Sequence, residues 1–146
     1  MQINTTRFGA VEIRPTDVLE FPLGLIGLEP WREWVVLADG QNTGLGWLQS
    51  TERAELALAV VSPRRFVPDY KVRLSSRDLS PLEAPEGVAP QVVVAVSCHG
   101  GEALSVNLKA PILVCLESRR GRQVVAKDDH PVQHWLGGQQ ALRRSA

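Results

Sequence analysis

The alternation of apolar and polar residues in short runs is the feature that most restricts how this chain can fold. Residues 70–74 read Tyr-Lys-Val-Arg-Leu, and apolar runs such as 56–61 and 92–98 are bounded by polar, Gly or Pro segments. Side chains that alternate between two faces are typical of half-buried strands. Many such runs at regular spacing, with little helix between them, predict an all-β sandwich or barrel rather than an α/β core.

Turn signals divide the chain into predicted elements. Pro30 is suited to the first turn of a short helix, and residues 78–83 have the length of one helical turn. We expect a single domain over residues 1–136 and a tail, residues 137–146, that frays after a Gly-Gly pair. The predicted strands are residues 3–5, 10–13, 18–21, 35–37, 46–49, 56–61, 70–74, 92–98, 103–108, 112–116 and 123–126.

The composition is that of a folded protein without excess charge. Of 146 residues, 44% are hydrophobic and 22% are charged, which excludes wholesale disorder. Lys+Arg and Asp+Glu both number 16, so no basic excess indicates nucleic-acid binding. The N-terminus lacks the apolar core of a signal peptide, and no apolar run reaches the roughly 18 residues of a membrane helix. We therefore expect a cytoplasmic protein without membrane contact, whose cysteines stay reduced.

Two His-containing pairs have the residue types of a catalytic or metal site. Cys98 and His99 suggest a thiolate–imidazole pair, but neighbours on a strand point to opposite faces. We therefore interpret Cys98 as a buried structural cysteine and expect no disulfide with Cys115. His130 and His134 follow two aspartates, yet a four-residue spacing aligns ligands only on a helix. The sequence thus predicts no catalytic residue, no metal and no cofactor, and hence no enzyme.

The segment ESRRGR, residues 117–122, is predicted as the turn of the last hairpin and carries Arg119, Arg120 and Arg122. A solvated hairpin end is the favoured interpretation of this basic cluster, and contact with phosphate is the alternative. The four tryptophans are widely scattered, so we expect most of them in the core rather than in a base-stacking platform.

Six segments occur in an order and spacing that is specific, although each of them alone is a weak signal. They are TTRFGAVEI, FPLGLIGLEPW, WLQS, LALAVVSPRRFVPDY, NLKAPILV and GRQVVAKDDHPVQHWLG. Together they resemble the family of the flagellar assembly factor FliW. The resemblance extends from about residue 5 to residue 136, nearly the whole chain.

This resemblance implies a non-enzymatic regulator with a small antiparallel β-barrel-like domain and one or two short helical turns. FliW-like proteins bind the translational repressor CsrA and relieve its block on flagellin messenger RNA. They also bind flagellin, so that flagellin and CsrA compete for one pool of the factor. The resemblance therefore implies CsrA and flagellin as partners, without direct contact to nucleic acid.

Two proline-containing bends are the candidate partner-binding sites. In NLKAP, Pro111 restricts Ala110 to extended geometry, and Asn107 has the side chain to bond backbone groups across the bend. In FVPDY, Pro68 stiffens a link that we expect to present Phe66, Asp69 and Tyr70 to a partner. The alternative for both bends is a purely structural turn.

The zero net charge departs from the acidic character that is usual in FliW-like proteins. An acidic face would suit a partner with a basic RNA-binding surface. Either such a face is local, or electrostatics contribute less in this chain. Residues for a local face are Asp17, Glu20, Glu29, Glu33, Glu52 and Glu55.

Two other function classes remain open at this point. One is a small RNA-binding β-barrel that uses the arginines of residues 119–122, which a steep salt dependence of binding would reveal. The other is a flavin-binding split-barrel protein, which the colour of the purified protein would reveal.

Overall fold

A closed seven-stranded barrel forms the centre of the molecule. The structure is a computed structural model and describes residues 1–100 and 103–136. Around the barrel the strand order is β7-β6-β5-β4-β3-β10-β9, and β9 pairs again with β7. The strands are β1 (Gln2–Thr5), β2 (Gly9–Glu12), β3 (Leu19–Glu20), β4 (Glu33–Ala38), β5 (Gly46–Ser50), β6 (Ala57–Val61), β7 (Gln91–Cys98), β8 (Leu104–Val106), β9 (Ile112–Cys115), β10 (Arg120–Gln123) and β11 (His134–Leu136).

The strand β7 is the longest of the described strands, and different parts of it belong to two sheets. Its first residues pair with β9 and close the barrel, whereas its last residues, 96–98, pair with β8. The strand β11 then adds to β8 as an outer strand. All pairings are antiparallel except that of β10 with β3, where Arg120 lies opposite Glu20. The predicted all-β, barrel-like fold is confirmed.

The barrel interior is filled by large apolar side chains from facing strands. Phe21 and Trp34 are completely buried there together with Leu19, Leu48 and Ile112. The ring of Phe21 packs directly over Gly121 of β10, where an added Cβ would lie 2.3 Å from the ring. The core therefore requires glycine at this point of the strand.

The β1–β2 hairpin lies outside the barrel, against the outer face of β4. Ile3 and Ile13 form a small buried cluster with Val35, whose neighbour Trp34 points into the barrel. At the tip of the hairpin, Arg7 lies over the Trp47 ring at 3.8 Å from its centroid. Neighbouring side chains of β4 thus point to opposite faces and pack into two different cores.

The helical predictions are confirmed only in part. No helix begins at Pro30, since residues 28–31 form tight turns in which Trp31 N donates to Leu28 O. A helical turn does form near residue 78, as α1 (Ser76–Leu79) followed by a 3-10 turn over Ser80–Leu82. It begins earlier than predicted because Ser75 caps it through a capping box with Asp78.

Two strand predictions are wrong in position or type, and one observed strand has no prediction. Residues 70–74 belong to no strand, because no neighbouring strand pairs with them. The last predicted strand, 123–126, is replaced by β10, which begins at Arg120, so the basic cluster lies largely in the strand. The strand β11 lacks a prediction. The predicted fraying of the tail concerns residues 137–146, which lie outside the described residues.

No helix in the described part of the chain has the length and apolar character needed to cross a membrane.

Candidate partner-binding surface

The FVPDY bend is built by a short turn and held by a buried tyrosine. A 3-10 turn over Pro63–Arg65 leads into the bend, where Tyr70 N donates to Val67 O at 2.9 Å. Tyr70 is only 3% exposed, and Phe66 is half-buried against the same apolar cluster. The expected presentation of Tyr70 to solvent is therefore wrong, because its ring completes the core beneath the bend.

The NLKAP bend is organised by Asn107, as its sequence predicts. The side-chain Oδ1 of Asn107 accepts hydrogen bonds from the backbone N–H groups of Lys109 and Ala110, both at 3.1 Å. Pro111 is buried, and its carbonyl accepts from Val124 N at 3.0 Å. The asparagine thus replaces missing backbone partners in the bend and fixes the entry into β9.

One hydrogen bond joins the two bends into a single unit. The Tyr70 hydroxyl donates to the carbonyl of Leu108 at 2.8 Å in a buried position. Burial, with a smaller contribution from the charge of Asp128, raises the pKa of Tyr70 to about 12. The hydroxyl therefore stays protonated and remains a donor at physiological pH.

A third segment, residues 128–130, forms hydrogen bonds with residues 71–73, which follow the FVPDY bend. Asp128 accepts from Arg73 N at 3.0 Å and from Arg73 Nε at 3.2 Å. The bond from the backbone N–H of Arg73 is the main reason why the pKa of Asp128 is lowered. His130 contacts Lys71 O through Nε2 at 2.6 Å, and its ring lies 4.5 Å from that of Tyr70. Asp128 and His130 therefore have contacts that sequence reasoning missed.

Among the five predicted partner residues, the structure leaves one side chain fully available. Asp69 is exposed, whereas Phe66 and Asn107 are half-buried, and Tyr70 and Pro111 are buried. The FVPDY bend therefore presents the carboxylate of Asp69 as its exposed predicted group. Partner contact through Asp69 stays a prediction.

The arginines of residues 119–122 are engaged within the fold rather than displayed on a hairpin tip. Arg119 has a left-handed backbone with φ 58° and donates to Asp17 O through a side-chain nitrogen. Arg120 pairs with Glu83 at 2.8 Å, and Arg122 donates to Arg77 O at 2.6 Å. The expectation of a solvated basic hairpin end is wrong, because these side chains fasten β10 to neighbouring loops.

Cys98 and Cys115 both have free thiols, and the structure corrects the predicted burial of Cys98. Cys115 is buried, but Cys98 is exposed at the end of β7, so the prediction of a buried Cys98 is wrong. His99 bonds Ser105 Oγ through Nε2 at 2.6 Å, and its ring lies 4.6 Å from that of Trp135. Within residues 1–100 and 103–136, no three His, Cys, Asp or Glu side chains are grouped to hold a metal ion.

Three glutamates lie together on the outside of β3 and β4, and we call them the acidic patch: Glu20, Glu33 and Glu52. The register places Glu20 directly opposite Glu33. Glu52 accepts from the backbone N–H groups of Arg32 and Glu33 at 3.1 and 3.3 Å. All three side chains are exposed, and none forms an ion pair with another described residue. Three exposed carboxylates are therefore grouped at one place although the net charge of the chain is zero.

Comparison with known proteins identifies the family of this chain. The model of the FliW protein family matches residues 2–136. The chain belongs to the FliW family. Flagellar assembly factor FliW of Bdellovibrio bacteriovorus is 36% identical over 131 residues, covering 89% of this chain and 75% of that protein. Flagellar assembly factor FliW of Natranaerobius thermophilus is 30% identical over 146 residues, covering 98% and 97% respectively.

A solved FliW structure has the same fold as this family member. The crystal structure of a flagellar assembly factor FliW superposes with a TM-score of 0.84 and covers 92% of this chain and 95% of that one. The sequence identity is 24%, so this likeness concerns the fold alone. The barrel fold of this chain therefore has a counterpart in a solved FliW structure.

Proposed function

We propose that this FliW-family protein is a flagellar assembly factor that binds the repressor CsrA and, in competition with it, flagellin. The family match over residues 2–136 carries this proposal. In the proposed cycle, flagellin releases the protein from CsrA, and export of flagellin frees it to bind CsrA again. Flagellin synthesis then follows flagellin export without any enzymatic step.

The acidic patch supports CsrA binding because it presents exposed carboxylates that form no ion pair with a described residue. Like charges directly opposite each other on adjacent strands destabilise a sheet, and Glu20 faces Glu33 in this way. The neighbouring Arg32 does not neutralise the pair, since its guanidinium donates to the carbonyls of Glu29 and Pro22. A basic RNA-binding surface of a partner would relieve this repulsion.

RNA binding by this protein itself has less support. Phosphate contacts need cationic side chains that are free to approach the backbone of the nucleic acid. Arg119, Arg120 and Arg122 already bond Asp17, Glu83 and Arg77 respectively. The proposal therefore assigns RNA binding to CsrA and protein binding to this chain.

Reversing single charges tests where CsrA binds. We expect Glu33→Lys in the acidic patch and Asp69→Lys in the FVPDY bend each to weaken CsrA binding about tenfold, or about 1.4 kcal/mol, because each places a cation against a basic partner. Both side chains are exposed, so the melting temperature should change little.

The control is Glu86→Lys, which makes the same charge change at an exposed loop position away from both sites. Affinities for CsrA and flagellin are measured by calorimetry with all three variants. If Asp69→Lys binds both partners as the wild type does, the bend is scaffold. If Glu33→Lys and Glu86→Lys behave alike, net charge rather than the acidic patch attracts CsrA.

A further inference from the structure

The first residues of β7 have a free edge within the barrel. Residues 91–93 pair with β9 on one side. On the other side, the pairing with β6 ends where Val61 lies opposite Val94. The chain then turns into the 3-10 segment Pro63–Arg65, and Pro63 has no N–H to donate. In the described part of the chain, no strand therefore occupies this side of residues 91–93.

The segment that faces this edge has the pattern of a strand but no strand partner. Along residues 70–74 the burial alternates, with Lys71 and Arg73 exposed and Val72 and Leu74 half-buried. Its backbone is tied at Lys71 O and Arg73 N to the segment of residues 128–130. Val72 makes no hydrogen bond to any other described residue. The alternation of this segment is thus that of a strand, although it pairs with no described strand.

A groove of about 760 Å³ separates the free edge from this segment. Its volume is within the usual range of about 300–1,000 Å³ for ligand sites. The charged residues in its lining are Arg64, Lys71 and Arg73, and no acidic residue lines it. Arg73 pairs with Asp128, and Arg64 Nε donates to Tyr70 O at 3.1 Å. The ammonium group of Lys71 forms no ion pair with a described residue. The remaining lining residues are Ser62, Pro63, Tyr70, Val72, Leu74, Pro90, Gln91, Val92 and Val93.

We propose that this groove binds an extended acidic peptide segment of a partner protein, which adds as a strand to the free edge of β7. An unpaired strand edge is a template for such addition, and the main-chain hydrogen bonds would supply much of the affinity. Alternate side chains of the peptide would contact Val72 and Val92, while a carboxylate approaches Lys71.

The charge of the groove selects this occupant over the chain's own tail. Residues 137–146 carry two arginines and no acidic residue, so they do not complement a cationic lining. The acidic patch lies on β3 and β4, whereas the groove is formed by β7 and residues 70–74, so the two surfaces are separate. This inference therefore holds whether or not CsrA binds to the acidic patch.

Binding of a designed peptide to the full chain tests the groove. The probe is a fluorescent octapeptide of alternating Glu and Val, and the comparison peptides replace Glu by Lys or methylate alternate backbone nitrogens. We expect binding of the Glu peptide only, because the Lys peptide is repelled and the methylated peptide cannot pair as a strand. Hydrogen exchange of the amides in residues 70–74 and 91–93 should slow when the Glu peptide binds.

A charge variant with a matched control completes the test. Lys71→Glu should weaken peptide binding about tenfold or more. The control is Arg14→Glu, which should leave peptide binding unchanged, because the Arg14 side chain is 82% exposed and does not line the groove. Equal binding of the methylated peptide, or protection of amides elsewhere, would overturn the proposal. So would a single-stranded RNA oligomer that protects these same amides more strongly than the peptide. CsrA affinity, measured on the same samples, separates failure of the groove from failure of the proposed function.

Discussion

Tyr70→Ala is expected to lower the free energy of unfolding by about 3–5 kcal/mol, as truncation of a buried aromatic residue typically does. Tyr70 is 3% exposed and packs in the cluster that contains Val94 and Leu108. The substitution also leaves the buried carbonyl of Leu108 without its hydroxyl partner. Because that bond joins the two bends, both should become more accessible to hydrogen exchange.

The conservative variant Tyr70→Phe separates packing from hydrogen bonding. It keeps the ring and removes only the hydroxyl, so we expect a loss of about 1–3 kcal/mol, measured by denaturant unfolding. If Tyr70→Ala keeps its stability and loses affinity for a partner, then Tyr70 is a contact residue and its burial beneath the bend does not contribute to folding.

Gly24→Ala is expected to destabilise the protein by about 2–5 kcal/mol, for two reasons that act together. Gly24 has φ 71°, in the left-handed region that an L residue adopts only with strain. A Cβ at this position would also lie 2.5 Å from Glu29 Cα and 2.7 Å from Glu29 O. Backbone atoms cannot rotate away as a side chain does, so the loop between β3 and β4 must shift.

Gly27→Ala in the same loop is the matched control. Gly27 has φ 84°, but an added Cβ would meet no atom within 4 Å. We therefore expect only the conformational cost, about 1–2 kcal/mol. Equal unfolding free energies for the two variants would show that the contact with Glu29 is unimportant and that the loop adapts to a side chain at residue 24.

Sequence patterning placed most strands well, but it predicts the pairing only of strands that lie near each other in the chain. Alternation and turn residues located β4, β5 and β6 because consecutive antiparallel strands pair with one another. Residues 70–74 have the same alternation but no ladder partner, and the sequence contains no local sign of that absence. The closing pair β7–β9 likewise depends on contacts between distant residues.

In the candidate site too, the sequence predicted the contacts between residues that are near in the chain, but not those between distant residues. The role of Asn107 follows from its own bend, since its amide bonds backbone groups two and three residues away. The burial of Tyr70 depends on Leu108, which is 38 residues distant. Arg122 similarly reaches Arg77 O across 45 residues of chain. Side chains whose partners lie far away in sequence were therefore misjudged as exposed.

The acidic patch explains why the charge count by itself gave no location for an acidic face. The three glutamates lie on β3, on β4 and after β5, and the register of β3 with β4 brings Glu20 to Glu33. Glu52 joins them by bonding the backbone at the start of β4. A charged surface built by strand register appears only when the register is known.

Calorimetric titration of CsrA into the purified wild-type protein, in buffer that contains a chelator, tests the proposed function most directly. We expect saturable binding without metal or nucleotide. We also expect that prior saturation with flagellin abolishes the binding heat of CsrA. Absence of binding heat in chelator that returns when metal is added would contradict it, as would simultaneous binding of CsrA and flagellin at full stoichiometry.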